Sequence, residues 1–203
     1  MIDIVVAITG ASGTAYGMRL IQQLDAVDKS VAVLVTDAGR KVLGLETTLL
    51  LPGDALGAGE MLARALNLKK APSVFALDDF MAPVASGTAA PKAMVVCPCS
   101  MGTLGRIAAG LSENLLERCA DVVLKEGRKL VLVPRETPLN AIHLENMLRL
   151  NRAGAVILPA MPGFYRQPET VNDLVDFVVG KVLDQLGVEH KLFQRWGEEQ
   201  DNG

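Results

Sequence analysis

Small and hydroxyl-bearing residues follow the first apolar run of the chain, in the segment Thr9-Gly10-Ala11-Ser12-Gly13. A β-branched run that breaks into glycines and continues with helical periodicity predicts a strand, a tight turn and a helix N-terminus. The first N–H groups of a helix have no intrahelical partner, so such a turn binds anions. The segment therefore predicts a phosphate site, and the glycines at 10, 13 and 17 first suggest a dinucleotide.

Four other apolar runs also end in polar segments, which are "TDAGR", "CPCSMGT", "PRETP" and "PAMPGFYRQP". Any one of these hydroxyls is more often a helix cap or a turn former than a ligand-binding group. The ends of parallel strands, however, meet at one edge of a sheet, where open α/β sheets bind ligands. The set therefore favours an anion pocket, whose candidates are Ser12, Thr36, Ser100, Thr103, Arg135 with Glu136, and Tyr165 with Arg166.

Two further segments carry charge. Arg118 and Lys125 are seven residues apart on one face of a predicted helix, near Asp121, and a solvated face is the alternative interpretation. Glu46 ends a helix-like stretch between apolar residues, which predicts partial desolvation and a raised pKa. An exposed Glu at a helix end remains the alternative.

The sequence lacks the motifs of several enzyme classes. A short-chain dehydrogenase needs Tyr-x-x-x-Lys, but Tyr16 and Tyr165 are followed four residues later by Leu20 and Glu169. No serine lies in G-x-S-x-G, and Cys97-Pro98-Cys99 is too tight for a zinc C-x₂-C motif. Asp37 could still contact a ribose, so dinucleotide binding stays open. The residues predict a metal-poor phosphate site.

Composition limits the partners. With 203 residues, half of them apolar, the chain can bury the core of one domain. Twenty basic and 23 acidic residues give a net charge of -3, which predicts no general attraction to nucleic acid or to an anionic membrane. An odd number of cysteines and the lack of a long apolar run predict a cytoplasmic protein.

The elements that position these residues follow from hydrophobic periodicity. Unalternating apolar runs predict buried parallel strands at Ile4–Ile8, Val31–Val35, Ala93–Cys97, Leu130–Val133 and Ala155–Leu158. Helical periodicity covers residues 14–27, 37–45, 54–66, 103–127, 140–152 and 170–186. The prediction is an α/β fold with a Rossmann-like or flavodoxin-like, doubly wound, mainly parallel sheet in three αβα layers. We expect one domain over residues 1–203, with a C-terminal tail from about 187. Residues 77–93 form a long loop, predicted as a lid or binding segment, with a surface-packed Ω-loop as the alternative.

Longer segments resemble a known family. "TGASG", "APKAMVVCPCSMGTL", "ERCADVVLKEGRKLVLVPRETPLNAIHLENMLRL", "GAVILPAMPGFYRQP" and the closing "RWG" occur in the order and spacing of the UbiX family of flavin prenyltransferases. The resemblance implies one flavoprotein domain that joins the dimethylallyl group of dimethylallyl monophosphate to N5 and C6 of reduced FMN, without a metal. It also implies a homododecamer whose product, prenylated FMN, serves UbiD-type decarboxylases.

The resemblance also implies site residues. Those on the flavin are Gly10, Ala11, Ser12, Thr36, Ser100, Met101, Gly102, Thr103, Arg118 and Arg135. Those on the second substrate are Lys125, Arg135, Tyr165, Lys181 and Phe80. Those that take part in catalysis are Glu46, Ser12, Lys125 and Glu136. Lys181 stands where many relatives carry Arg, which keeps the charge but loses the bidentate fork, and Phe80 stands where several have Trp.

In this scheme, Glu46 handles protons and Ser12 orients the flavin near N5. Lys and Arg neutralise the departing phosphate. Two other functions remain open: an FMN-dependent decarboxylase of the phosphopantothenoylcysteine type, and a non-catalytic FMN carrier.

Overall fold

The structure, a computed structural model, describes residues 2–165 and 167–195. Its strands are β1 (Ile4–Ile8), β2 (Val31–Val35), β3 (Ser73–Val74), β4 (Ala93–Cys99), β5 (Lys129–Pro134) and β6 (Val156–Ile157). Its helices are α1 (Thr14–Ala26), α2 (Asp37–Thr47), α3 (Ala55–Leu66), α4 (Met101–Ala108), α5 (Leu115–Lys125), α6 (Ala141–Arg152) and α7 (Val171–Leu186).

The strands form one parallel sheet in the order β3-β2-β1-β4-β5-β6. The chain runs outward from β1 to β3 and then returns to place β4 beside β1. The two halves of the sheet therefore separate between β1 and β4, the switch point at which such sheets bind ligands. The predicted fold class is confirmed.

Both faces of the sheet are covered. Val6 of β1 lies in a core with α1, α3 and α7, whereas Val5 lies in a second core with α4 and α5, as the alternation of side chains along a strand requires. Burial on both faces is why the strands are unbroken apolar runs. This gives the three predicted layers.

Three details differ from the sequence prediction. The strand β3 was not predicted. The helix predicted over residues 103–127 is two helices, because α4 ends at Ala108, Gly110 has a φ of +74°, and Asn114 caps α5 through the Glu117 N–H. In the long loop, short 3₁₀ turns at Pro83–Ala85 and Gly87–Ala89 bury Val84 completely. The middle of the loop thus packs into the core.

The described part of the C-terminal tail folds back on α7. The Phe193 ring lies 5.4 Å from that of Phe177, and the His190 ring lies 5.0 Å from that of Phe193. Arg166 and residues 196–203 of the predicted tail lie outside the described residues. Within the described ranges, no helix has the length and apolar character needed to cross a membrane.

Candidate functional site

A buried hydroxyl ties together the two loops at the switch point. Thr9, fully buried after β1, donates from Oγ1 to the Pro98 carbonyl at 2.8 Å and accepts from the Ser100 N–H at 2.7 Å. The glycine turn and the first turn of α4 are therefore fixed against each other. Thr9 was not predicted as a site residue, because nothing in the sequence around a buried threonine indicates a partner about 90 residues away.

Two glycines shape the turn. At Gly10, a Cβ atom would lie 2.5 Å from the Cβ of Ala38, so only glycine lets the first turn of α2 come this close. Gly13, the N-cap of α1, has a φ of +103°, in the left-handed region that favours glycine. The backbone from Gly10 to Gly13 is thereby held open between α1, α2 and α4.

Glu46, the last residue but one of α2, reaches the N-terminus of α1. Its carboxylate accepts from the Gly13 N–H at 2.9 and 3.1 Å, the Thr14 N–H at 2.8 Å and the Thr14 hydroxyl at 2.7 Å. The anion that the glycine turn was predicted to bind is, in this structure, the protein's own carboxylate. Thr14 was not predicted, since it occupies an ordinary helix-start position.

The predicted raised pKa of Glu46 is wrong. Burial raises the pKa of this carboxyl, but hydrogen bonds from the Ser12 and Thr14 side chains and from the Gly13 and Thr14 backbone outweigh it. The pKa therefore lies below its ordinary value of 4.5. Glu46 lies at an exposed position, and the hydrogen-bond donors, more than burial, determine the direction of its pKa shift.

Two more helix N-termini lie at this edge. Thr36 caps α2 by accepting from the Gly39 N–H at 3.0 Å, and Ser100 caps α4 by accepting from the Thr103 N–H at 3.4 Å. Each cap uses one N–H of its first turn and leaves others for a ligand. A cavity of about 490 Å³ lies beside α2, lined by Val35, Asp37, Arg40, Leu51, Gly53 and residues 75–78. An anion can therefore bind at α2 and α4 while Glu46 occupies α1.

Arg135 brings the end of β5 to the glycine turn. Its backbone N–H donates to the Cys99 carbonyl at 3.3 Å, and its Nε donates to the Ser12 carbonyl at 3.1 Å. Glu136 is exposed beside it. Tyr16 lies close enough for Arg135 to lower its pKa, although burial raises that pKa above 10.0 overall. The strand-end site thus combines one guanidinium, one phenol and the Glu46 carboxylate.

Tyr165 lies in the segment after β6, on the same edge of the sheet. Its ring meets that of Phe177 edge-on at 6.0 Å, and the residue is 54% exposed. The predicted neighbour Arg166 lies outside the described residues. Phe80, in the loop after β3, is 46% exposed.

Three predicted cations are not brought to this cluster within the chain. Lys125 ends α5, which runs antiparallel to the strands, so it lies toward the opposite edge of the sheet and pairs with Glu126. Lys181, far along α7, lies 3.8 Å from a carboxylate oxygen of Asp184. Arg118 donates to the Ala85 carbonyl and to Asp121, at 3.0 Å each. Within one chain, these three cations therefore lie apart from the strand-end cluster.

Among the described residues, no cluster of three or more His, Cys, Asp or Glu side chains could hold a metal ion. Cys97 and Cys99 are fully buried, and burial raises the pKa of both thiols. These thiols are part of the core.

Comparison with known proteins gives a consistent result. A family described as Flavoprotein matches residues 1–183. The flavin prenyltransferase UbiX of Halalkalibacterium halodurans is 54% identical over 197 residues, covering 97% of this chain and 94% of the relative.

Two crystal structures are similar over nearly the whole chain. AnUbiX (PadA1) in complex with FMN and dimethylallyl pyrophosphate superposes with a TM-score of 0.87 at 39% identity, covering 98% of this chain and 99% of the other. A dodecameric FMN-dependent UbiX-like decarboxylase from Escherichia coli O157:H7 superposes with a TM-score of 0.85 at 43% identity, covering 97% and 100%.

Proposed function

The chain belongs to the UbiX family of flavin prenyltransferases, and we propose that it joins the dimethylallyl group of dimethylallyl monophosphate to N5 and C6 of reduced FMN. The observation that carries this proposal is the Glu46 carboxylate fixed beside Ser12 and Arg135 at the switch point. A flavin at this position meets a proton-handling group and a cation together. The product, prenylated FMN, would serve UbiD-type decarboxylases.

The strand-end residues fit FMN. The turn of Gly10, Ala11 and Ser12 can contact a flat ring, because it lies at the switch point and Ser12 is exposed there. The first turns of α2 and α4 offer N–H groups to the flavin phosphate, through Thr36 and the segment Ser100, Met101, Gly102 and Thr103. Arg135 lies between this turn and the end of β5, where it can contact both substrates.

The chemistry needs neutralisation of charge and movement of protons. Reduced FMN supplies nucleophilic N5 and C6 atoms. As the allylic carbon–oxygen bond breaks, negative charge grows on the phosphate, and Arg135 with Lys125 and Lys181 can neutralise it without a metal ion. Glu46 is ionised at neutral pH, because its donors lower its pKa, so it is ready to accept a proton. Ser12 can pass that proton, since its side chain bonds the same carboxylate.

A second copy of the chain completes the site in this proposal. Lys125 and Lys181 lie on helix segments away from Arg135, so a neighbouring subunit has to present them to the departing phosphate. Apolar side chains near the strand-end edge are available for such a contact, since Leu45 is 86% and Met161 66% exposed. We propose a homododecamer, as in the similar dodecameric UbiX-like decarboxylase from Escherichia coli O157:H7, working in the cytoplasm, with sites shared between subunits.

The test is an anaerobic incubation of the purified protein with reduced FMN and dimethylallyl monophosphate, followed by mass spectrometry. We expect a flavin heavier by one C₅H₈ unit, together with free phosphate. Parallel incubation with dimethylallyl pyrophosphate decides which ester is used. Unchanged flavin would contradict the proposal, and release of CO₂ from added phosphopantothenoylcysteine would favour the alternative decarboxylase.

A further inference from the structure

The N-terminus of α1 is capped by a side chain from another helix. Gly13 occupies the N-cap position and has no side chain to accept a hydrogen bond. Glu46 supplies the missing acceptor from 32 to 33 residues away. These hydrogen bonds therefore fix the carboxylate to the turn that carries Ser12.

The bonds to the two carboxylate oxygens differ. Oε2 accepts from the Thr14 hydroxyl at 2.7 Å, the Thr14 N–H at 2.8 Å and the Gly13 N–H at 3.1 Å, whereas Oε1 accepts from the Gly13 N–H at 2.9 Å. An ionised carboxylate has about four lone-pair sites. The Ser12 side chain also bonds this carboxylate. Oε2 already has three close donors from Gly13 and Thr14, so Oε1 is the oxygen with more room for a proton.

Thr14 supplies two of these donors and is itself fully buried. Its backbone N–H would remain in any variant, so the part that the side chain contributes is the hydroxyl bond to Oε2. A buried hydroxyl in a fixed rotamer determines the direction from which Oε2 accepts its hydrogen bond. A water molecule at the surface would not. The carboxylate is thereby prevented from rotating and exchanging its two oxygens.

We propose that Thr14 is a positioning residue for prenyl transfer: its hydroxyl holds Oε2 of Glu46 so that Oε1 faces the reacting flavin as the proton acceptor. This rests on the proposed function, and it goes beyond it by giving a role to a residue that touches neither substrate.

The proton count of the reaction shows why a fixed oxygen is needed. The N5–carbon bond forms as the carbon–oxygen bond breaks, and the phosphate leaves with the electron pair. Ring closure then joins C6 to the tertiary carbon of the allyl group. Protons leave N5 and C6, one is taken up at the middle allyl carbon, and one is taken up by the phosphate. A carboxylate that moves these protons has to hold an oxygen within hydrogen-bond reach of the atoms that lose and gain them.

Other charged or titratable groups lie on the elements around Glu46. They are Tyr16 and Arg19 on α1, Arg135 after β5, Asp176 on α7 and Arg40 on α2. Arg19 is neutralised by Asp176, with its Nε 2.6 Å from a carboxylate oxygen, and Arg40 donates to the Leu51 and Pro52 carbonyls. Tyr16 is neutral at the pH of the assay because burial raises its pKa. Removal of the Ser12 or the Thr14 hydroxyl therefore changes Glu46 without changing a charge. Of these two, Thr14 is the one to which the proposed reaction gives no other role.

The experiment compares Thr14→Val, which keeps the shape and loses the hydroxyl, with Thr14→Ser, which keeps the hydroxyl. Thr47→Val is the matched control, since the Thr47 hydroxyl lies beside Glu46 in sequence but donates to the Leu43 carbonyl at 2.7 Å. Thr14→Ala serves if the valine variant does not fold. Each protein is assayed anaerobically with reduced FMN and dimethylallyl monophosphate, across pH, and FMN affinity is measured separately by fluorescence quenching.

For Thr14→Val we expect kcat to fall about tenfold, the usual value of one hydrogen bond to a charged group, with KM and FMN affinity within about twofold. The acid limb of the pH profile should move to higher pH, because loss of a donor raises the pKa of Glu46. Thr14→Ser and Thr47→Val should keep the wild-type rate and profile.

A wild-type kcat and pH profile in Thr14→Val, or in Thr14→Ala, would overturn the positioning role. A rise in KM alone, or an equal loss in Thr14→Ser, would also overturn it, because a role in folding or binding would then explain the effect. Failure of the wild-type protein to form prenylated flavin would instead refute the proposed function, so the two failures are distinguishable.

Discussion

Glu46→Gln separates the charge of this side chain from its shape. The amide keeps one oxygen acceptor, but its NH₂ group has to face one of the N–H donors that now bond the carboxylate, Gly13 or Thr14. We expect prenyl transfer to slow by about 10²–10⁴-fold, the usual contribution of a positioned acid–base group, while FMN still binds at the strand ends.

The same change should lower stability by a small, pH-dependent amount. A carboxylate at an exposed helix N-terminus contributes about 1 kcal/mol or less, which at this chain length is a fall of about 2–4 °C in Tm. Because the pKa of Glu46 is lowered in the folded protein, its stabilisation is complete above the ordinary value of 4.5 and is lost as the pH falls through the folded pKa. The Tm difference between wild type and variant should therefore be present at pH 7 and disappear in strongly acidic solution.

Single-turnover absorbance of reduced FMN mixed with dimethylallyl monophosphate measures the rate, and mass spectrometry identifies the flavin that accumulates. We expect the variant to stop before the four-ring product. Glu60→Gln, an exposed change on α3, is the control and should match the wild type in rate and Tm. Wild-type formation of the cyclised product by Glu46→Gln would refute the acid–base role and leave Glu46 as a helix cap only.

Three other outcomes can be measured. Prenyl transfer should survive EDTA, because Lys and Arg side chains are proposed to neutralise the phosphate, and a loss restored by Mg²⁺ would contradict this. Lys181→Ala should raise the KM for dimethylallyl monophosphate about tenfold with FMN affinity nearly unchanged, whereas an equal loss of both would indicate a structural residue. Glu117→Ala should lower the free energy of unfolding by about 3 kcal/mol in urea titrations, since its fully buried carboxylate bonds Arg106, Asn114 and the Glu113 N–H. The exposed change Glu145→Ala is the control. Equal urea midpoints for the two variants would contradict the prediction.

The sheet was predictable because its strands carry a strong local signal. The runs at residues 4–8 and 31–35 coincide with β1 and β2, since strands buried on both faces are continuously apolar. The strand β3 consists of two residues, which pair with Ala32 and Val33 of β2, so its sequence has no apolar run to detect. The break between α4 and α5 was missed because the apolar periodicity continues on both sides of Gly110.

Site residues could be predicted only where the topology of the sheet determines their position. Residues directly after a strand, such as Ser12, Thr36 and Arg135, lie at one edge of a parallel sheet by topology alone. The sign of the Glu46 pKa shift was not predictable, because its donors come from another loop 32 to 33 residues away. Lys125 and Lys181 were grouped with the strand-end residues because of the family resemblance. Their positions late on α5 and α7 place them away from those residues within one chain.

The three buried cysteines give the protein a built-in reporter of its own opening. Cys97, Cys99 and Cys119 are fully buried, and burial raises the pKa of the Cys99 and Cys119 thiols to about 12. Alkylating reagents attack the thiolate, so labelling has to wait for an opening that exposes the sulfur. The rate at which a maleimide dye labels the chain therefore measures how often β4, which carries Cys97 and Cys99, or α5, which carries Cys119, opens far enough to expose a thiol.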